Sequence, residues 1–224
     1  MTRPEHAAAA DAFYSNAEAL RYDDSARMAV TQRHLADRVL QLLALPAGAP
    51  ALILDVGCGT GYSGRPLEKA GHTWIGTDVS AGMLGAARQT RRGCQVVQSD
   101  MGTGLHFRYG VFDGCVSISA VQWLCHATKG GHEPAKRVCR FFRGLKAVLA
   151  AGARAVFQLY PEQPEHMQML RDAALEQGFG GGLVVDYPWS ERSKKLYLVL
   201  IAPPRPAPRS AAEAAGKGGG GGKG

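Results

Sequence analysis

Seven short apolar runs punctuate the chain, each of a length suited to a buried strand. They are ALILDV (51–56), HTWIGTD (72–78), CQVVQSD (94–100), FDGCVSISA (112–120), ARAVFQLY (153–160), GLVVDYP (182–188) and KLYLVLIA (195–202). Between them, apolar residues recur three and four positions apart, which predicts helices over 62–70, 81–91, 134–150 and 164–177. Upstream, Met28, Leu35, Val39, Leu42 and Leu43 predict an amphipathic helix over 27–45, and AFYSNAEALRY (12–22) a further helix over the sheet's C-terminal edge. Strands alternating with helices imply an α/β fold, a parallel sheet covered on both faces. The last two runs are joined only by a few residues around WSERS, too few for a crossover, so they predict an antiparallel hairpin.

Beyond Ile201 the chain has no large apolar residue and is rich in Pro, Ala and Gly. Such a segment buries too little surface to offset its ordering entropy. The prediction is one domain over 1–202 and a disordered basic tail over 203–224. The first residues, MTRPEHAAAADAFYSN, lack the basic-then-apolar pattern of a signal peptide, and no apolar run is long enough to span a bilayer, so an intracellular protein is expected. Cys58, Cys94, Cys115, Cys125 and Cys139 form no C-x-x-C pair, and Cys125, His126, His132 and Cys139 match no zinc spacing. Neither a disulfide framework nor a metal is expected. The net charge is +7. The tail's Arg205, Arg209, Lys217 and Lys223 against Glu213 contribute +3 of it, leaving +4 to the domain, which points to an anionic partner.

LILDVGCGTGYSG carries two overlapping glycine codes. Gly59, Gly61 and Gly64 spell the dinucleotide pattern G-x-G-x-x-G, while Asp55, Gly57, Gly59 and Gly61 spell the D-x-G-x-G-x-G of S-adenosylmethionine loops. The glycines serve either ligand. The acids discriminate. Asp55, ending a buried strand, needs a positive or hydrogen-bonding partner, such as the ammonium of S-adenosylmethionine, whereas the pyrophosphate of NAD would be repelled. Asp78, at the tip of the second strand, suits ribose hydroxyls. Asp100 adds an acceptor for an adenine amino group and Met101 an apolar wall. S-adenosylmethionine is therefore the expected cofactor, held by Asp55, Gly57, Cys58, Gly59, Gly61, Asp78, Asp100 and Met101. A seven-stranded, mostly parallel sheet with a terminal hairpin is the Rossmann-like class I methyltransferase architecture.

From about Arg3 to Ala202 the chain resembles the eukaryotic small-subunit (18S) rRNA guanine-N7 methyltransferases of ribosome assembly. The resemblance is carried by RPEH, LDVGCGTGYSG, FDGCVSISAVQWLC, PAKR, RAVFQLYPE and GGLVVDYP, of which SISAVQWLC and VVDYP are the more specific. After Ala202 the chain departs from it, since the family carries a long Lys- and Arg-dense tail there. The resemblance implies action in the nucleus or nucleolus and cytoplasm, on pre-ribosomal small-subunit rRNA. It also implies a heterodimer with a small zinc-binding activator protein, which adds strands along the third strand, from Cys94 to Ser99. That strand is expected at a sheet edge, and CQVVQS has no charge or proline to discourage pairing.

Guanine N7 carries an in-plane lone pair and loses no proton on methylation, so alignment rather than a general base is required. Gln122, Trp123 and Tyr160 are the candidate catalytic residues. Gln122 would bond a guanine edge, Trp123 would stack on the base or sit in the core, and Tyr160, like Tyr187, would wall the pocket or merely cap its strand. Ser119 and Ala120 would line the cofactor's methionine end. Tyr14 and Tyr22 would close over the cofactor or merely pack their helix. Lys136, Arg137, Arg140, Arg143 and Lys146 share one helix with no acid, and Lys194 and Lys195 join them as RNA phosphate contacts. Two rival functions stay open: a ubiquinone- or sterol-type small-molecule methyltransferase, and a non-catalytic pre-ribosome assembly factor.

Overall fold

The apolar runs become one sheet in the computed structural model, which describes residues 9–14, 26–90, 95–127 and 130–204. Its strands are β1 (Leu52–Val56), β2 (Thr73–Asp78), β3 (Val96–Gln98), β4 (Phe112–Ile118), β5 (Leu149–Leu159), β6 (Gly180–Asp186) and β7 (Lys195–Ile201). Their order is β3-β2-β1-β4-β5-β7-β6. All pairings are parallel except those of β7, which runs antiparallel to both β5 and β6. The seven-stranded sheet with a terminal hairpin is thus as the sequence predicted, and β3 does lie at an edge.

Alternation along each strand feeds two cores. Leu54 and Val56 of β1, Cys115 of β4 and Phe157 of β5 face α5 (Pro134–Val148) and α6 (Pro164–Glu176), meeting Phe141, Phe142, Leu145 and Leu170. Ile53, Val116, Val156 and Tyr197 face the other way, onto α2 (Ala26–Leu43), α3 (Gly64–Lys69) and α4 (Ala81–Thr90), through Leu35, Val39, Leu43, Leu67 and Leu84. Helix α5 explains itself: a proline at its first turn, then Val138, Phe141, Phe142, Leu145 and Val148 on one buried stripe. Burying each such phenylalanine stabilises the fold by about 2–3 kcal/mol.

The departures from expectation are local. Helix α5 stops at Val148 because β5 starts at Leu149, where that residue pairs with Phe112 and the register shifts before Gly114. Gly152, at φ +74°, absorbs the irregularity. Strand β3 is only three residues long, and Cys94 lies outside the described residues. Of the helix expected over 12–22, the short α1 (Ala10–Phe13) and Tyr14 are described, while Tyr22 lies outside the described residues. Ala202 is buried and donates its N–H to Ala153 O, whereas the tail from residue 205 lies outside the described residues.

Candidate functional site

The carboxyl ends of β1, β2 and β4 open onto one cleft of about 1100 Å³, its solvent-filled mouth included. Such a crevice is where open α/β sheets bind ligands. At its floor β1 gives way to the glycine loop, with Gly57, Gly59 and Gly61 at φ +71°, +54° and +81°. Gly57 and Cys58 both donate their N–H to Thr77 O, at 2.7 and 3.0 Å, tying the loop to β2. A Cβ on Gly57 would stand 2.2 Å from that of Ala120, so both the dihedral and the close approach require glycine. Gly64 has a different duty. Its missing Cβ leaves room for the Trp74 ring, 2.2 Å from where it would sit, so it serves helix–strand packing.

The three acids are compensated differently. Asp55 is 1 % exposed and lies behind the loop rather than on the cleft wall. Ser63 Oγ donates to its Oδ2, while Oδ1 is buried with no hydrogen-bond partner. Burial pushes this carboxyl up to about 7, against the Ser63 bond and with help from the Asp78 charge. Asp78 lines the cleft, is raised by burial, and accepts N–H bonds from Gly59 (2.9 Å) and Ser80 (2.8 Å). For Asp100, burial is outweighed by the Arg137 guanidinium and the Gly102 N–H, which hold the carboxyl below its ordinary range. Arg137 grips it with two bonds of 2.8 and 3.0 Å.

Trp123 is 9 % exposed and walls the cleft beside Tyr14, with ring centroids 6.1 Å apart, and Phe13 at 6.5 Å. Tyr14 is fixed through its carbonyl, which accepts from Ser80 Oγ at 2.6 Å. Ser119 follows β4 at φ +57°, a left-handed conformation that costs a non-glycine residue about 1–2 kcal/mol. Buried Gln158 holds it there. Ser119 donates its hydroxyl to Gln158 Oε1 (2.7 Å) and its N–H to Gln158 O (3.0 Å). Met101, Ser119, Ala120 and Cys58 all reach the cleft.

Several expectations need correction. Arg137 is not a surface cation available to RNA: its side chain is 12 % exposed, paired with Asp100 and on the cleft wall. Gln122 is buried and donates its amide to Ser119 O at 3.0 Å, because the 3₁₀ turn Val121–Cys125 folds it under the chain. Gly61 and Tyr160 do not line the cleft; Tyr160 is half-exposed, with Lys195 Nζ 5.6 Å from its ring centre. Tyr187 is likewise exposed, at φ +54°. Lys136 pairs with Glu133 and Lys194 with Glu191, both exposed i,i+3 contacts of small energetic weight. Arg140, Arg143 and Lys146 stand exposed along α5. Sequence reasoning missed Ser63, Gln158 and the second role of Arg137, because their partners Asp55, Ser119 and Asp100 stand apart from them in the sequence.

Residues 53–144 match the methyltransferase domain family. The chain is 46% identical over 202 residues to the 18S rRNA (guanine-N(7))-methyltransferase of Mus musculus, covering 90% of this chain and 72% of that one. It is 50% identical over 199 residues to a protein of the same name from Arabidopsis thaliana, covering 88% and 69%. Among solved structures, it superposes on a chain of the Haloferax volcanii complex between the Trm112 methyltransferase activator and a methyltransferase with TM-score 0.56 and 17% identity, covering 86% of this chain and 97% of that one. The PH0226 protein of Pyrococcus horikoshii gives TM-score 0.60 at 16% identity, covering 81% and 93%.

Proposed function

The chain belongs to the family of 18S rRNA (guanine-N7)-methyltransferases, and we infer from that premise that it methylates N7 of a guanine in 18S rRNA during ribosome biogenesis. The single observation that carries the enzymatic reading is the fit of the cleft to S-adenosylmethionine. The loop offers a backbone cradle that a Cβ at Gly57 would fill, and behind it Asp55 keeps one buried carboxylate oxygen without a partner. An anionic pyrophosphate gains nothing from that oxygen, whereas an ammonium group, reached directly or through water, satisfies it.

S-adenosylmethionine, when bound, supplies an electrophilic methyl group on a sulfonium. The chain's own residues bind and orient. Gly57, Cys58 and Gly59 present the backbone, Asp78 offers acceptors for ribose hydroxyls, and Asp100 with Met101 flanks the adenine. Asp78 and Asp100 are already engaged, by backbone N–H groups and by Arg137, so they act as holders rather than proton acceptors. No proton acceptor is needed for guanine N7, whose lone pair lies in the base plane. Ser119 and Ala120 set the ceiling over the loop, and Trp123 with Tyr14 forms the aromatic wall on which the base stacks. Gln122 supports this wall from behind by holding Ser119 O.

Exposed Arg140, Arg143 and Lys146 give α5 a cationic face for rRNA phosphates. The activator, a small zinc-binding protein, adds strands along β3, which lies at the sheet edge with Val97 46 % exposed. Action on 18S rRNA during ribosome biogenesis supports a nuclear or nucleolar location, with the cytoplasm as a further site; no described helix is long and apolar enough to cross a membrane. Incubating the chain and its activator with labelled S-adenosylmethionine and immature small subunits tests the reaction. The label should appear as N7-methylguanosine in 18S rRNA. Label in adenine, or only in small lipids, would overturn it.

A further inference from the structure

We propose that His126, Glu162 and His166 form a binding site for a divalent transition-metal ion beside the methyl-transfer cleft. One ligand atom from each lies within 4.8 Å of the others. The three come from different places in the chain. His126 follows the 3₁₀ turn Val121–Cys125, Glu162 lies between β5 and α6, and His166 sits in the first turn of α6. The two imidazole rings meet edge to face, 4.9 Å between centroids and 75° between planes. Tetrahedral zinc brings its ligand atoms to about 3.3 Å from one another, a distance these side chains can close by rotamer adjustment.

A second observation points to a ligand. His166 Nδ1 is buried and has no hydrogen-bond partner within the protein. The backbone around the ring is fixed: His166 N–H donates to Gln163 O at 3.1 Å, and Cys125 Sγ lies 3.8 Å from His166 O. Two imidazoles and one carboxylate favour Zn²⁺, Co²⁺ or Ni²⁺ over Mg²⁺ and Ca²⁺, which take oxygen ligands. Three protein donors leave a fourth position for water. The spacing escapes the sequence because it matches no short motif and pairs His126 with residues beyond the following helix and strand.

The location gives the site a consequence. The 3₁₀ turn that ends next to His126 also carries Trp123, the aromatic wall of the cleft, and His126 N–H donates to Trp123 O at 3.3 Å. An ion bridging His126 to His166 clamps that turn against α6. Occupancy therefore stiffens the wall against which the base rests, without placing the metal among the reacting atoms.

The test is a Co²⁺ titration of the full chain bound to its activator, after treatment with a chelator, followed by visible ligand-field absorption and thermal unfolding. Wild type should take up one more equivalent than the His166→Ala complex, which cancels any metal held by the activator. Bound Zn²⁺ should displace that equivalent and raise the melting temperature. His166→Ala and Glu162→Gln, which remove direct ligands, should each lower affinity by at least the roughly ten- to hundredfold that loss of an outer-shell partner costs. Glu162→Gln alters one side chain outside the core and so guards against a misfolded His166 variant. His106→Ala, outside the cluster, should change nothing. Equal stoichiometry in wild type and His166→Ala, or equal affinity in wild type and Glu162→Gln, would overturn the site.

Discussion

Replacing Asp55 by asparagine should stabilise the empty protein and weaken its hold on S-adenosylmethionine. Burial pushes the Asp55 carboxyl up to about 7 in the folded chain. In the unfolded chain an aspartate titrates near about 3.9. Between those values the folded state keeps a proton that the unfolded state has lost, so stability falls as pH rises through the window. Some three units at about 1.4 kcal/mol each give roughly 4 kcal/mol as an upper bound. Asparagine cannot ionise. The variant's advantage should be close to nil near about pH 4 and grow to a few kcal/mol by about pH 8, on the order of 10 °C in melting temperature for a domain of this size. Asp78 is raised by burial too and its charge helps raise Asp55, so the difference between variant and wild type, not the raw curve, reports Asp55 together with that coupling.

The same carboxylate should respond to ligand. A cationic group over Asp55 favours its ionised form, so wild-type affinity should rise between about pH 6 and 8 and binding should expel a proton. Calorimetry in buffers of different ionisation enthalpy measures that proton directly. The asparagine variant should lose it and bind on the order of tenfold more weakly, the worth of one charge-assisted hydrogen bond. A stability difference that stays flat across the window, or a binding enthalpy that ignores the buffer, would refute the reasoning.

Other substitutions test other parts of the site. Gly57→Ala forces a Cβ to within 2.2 Å of Ala120 at φ +71°; it should cost about 2–4 kcal/mol in chemical unfolding and abolish cofactor binding measured by calorimetry. Arg137→Met frees Asp100 and should weaken cofactor affinity by calorimetry while leaving RNA affinity, read by filter binding, within about twofold; the surface pair Arg140→Glu with Arg143→Glu should do the reverse and flatten the salt dependence of RNA binding. Val97→Lys on the exposed edge strand should lower the yield and melting temperature of the complex with the activator, and the chain purified alone should be aggregation-prone; a soluble lone chain indifferent to this change would sink the partnership.

The fold was legible because its signals are local and redundant. Strand β1 is an apolar run broken only by Asp55 and followed by glycines, and the hairpin follows from a connection too short for anything else. Within the site, Gly57 and Asp78 are legible from local pattern, one as a glycine of the loop motif and the other as an acid at a strand tip, although the groups they meet, Ala120 and Gly59, are distant in sequence. What escaped depends on partners far along the chain. The bond from Ser119 to Gln158 joins β4 to β5, and the pair Arg137–Asp100 joins α5 to the end of β3. Arg137 is the instructive residue. It shares a helix and a charge with Arg140 and Arg143, yet one position on the helical wheel turns it to the cleft, and composition alone assigned all three to RNA. Boundaries failed where packing overrode pattern, as at Val148, where pairing of Leu149 with Phe112 ends a helix that apolar periodicity would have prolonged.

The three acids at successive strand ends show how charge compensation distinguishes a waiting site from a finished one. Asp100 has a guanidinium and a backbone N–H, and its carboxyl is accordingly held low. Asp78 has two backbone N–H groups but no cation, so burial still raises it while the bonds to Gly59 and Ser80 shape the loop. Asp55 has one hydroxyl and an oxygen with no partner, and it is raised to about 7. A structural acid with that little support would be a liability, because an unmatched buried charge costs several kcal/mol. Its position under the loop makes the deficit informative. When the carboxyl is ionised, the partner that this oxygen lacks within the protein is a positive group or a hydrogen-bond donor. A dinucleotide offers phosphate there, which would deepen the deficit; an amino-acid-bearing sulfonium offers an ammonium, which removes it. The unpartnered oxygen of Asp55 thus discriminates between the two cofactors by the sign of charge it favours.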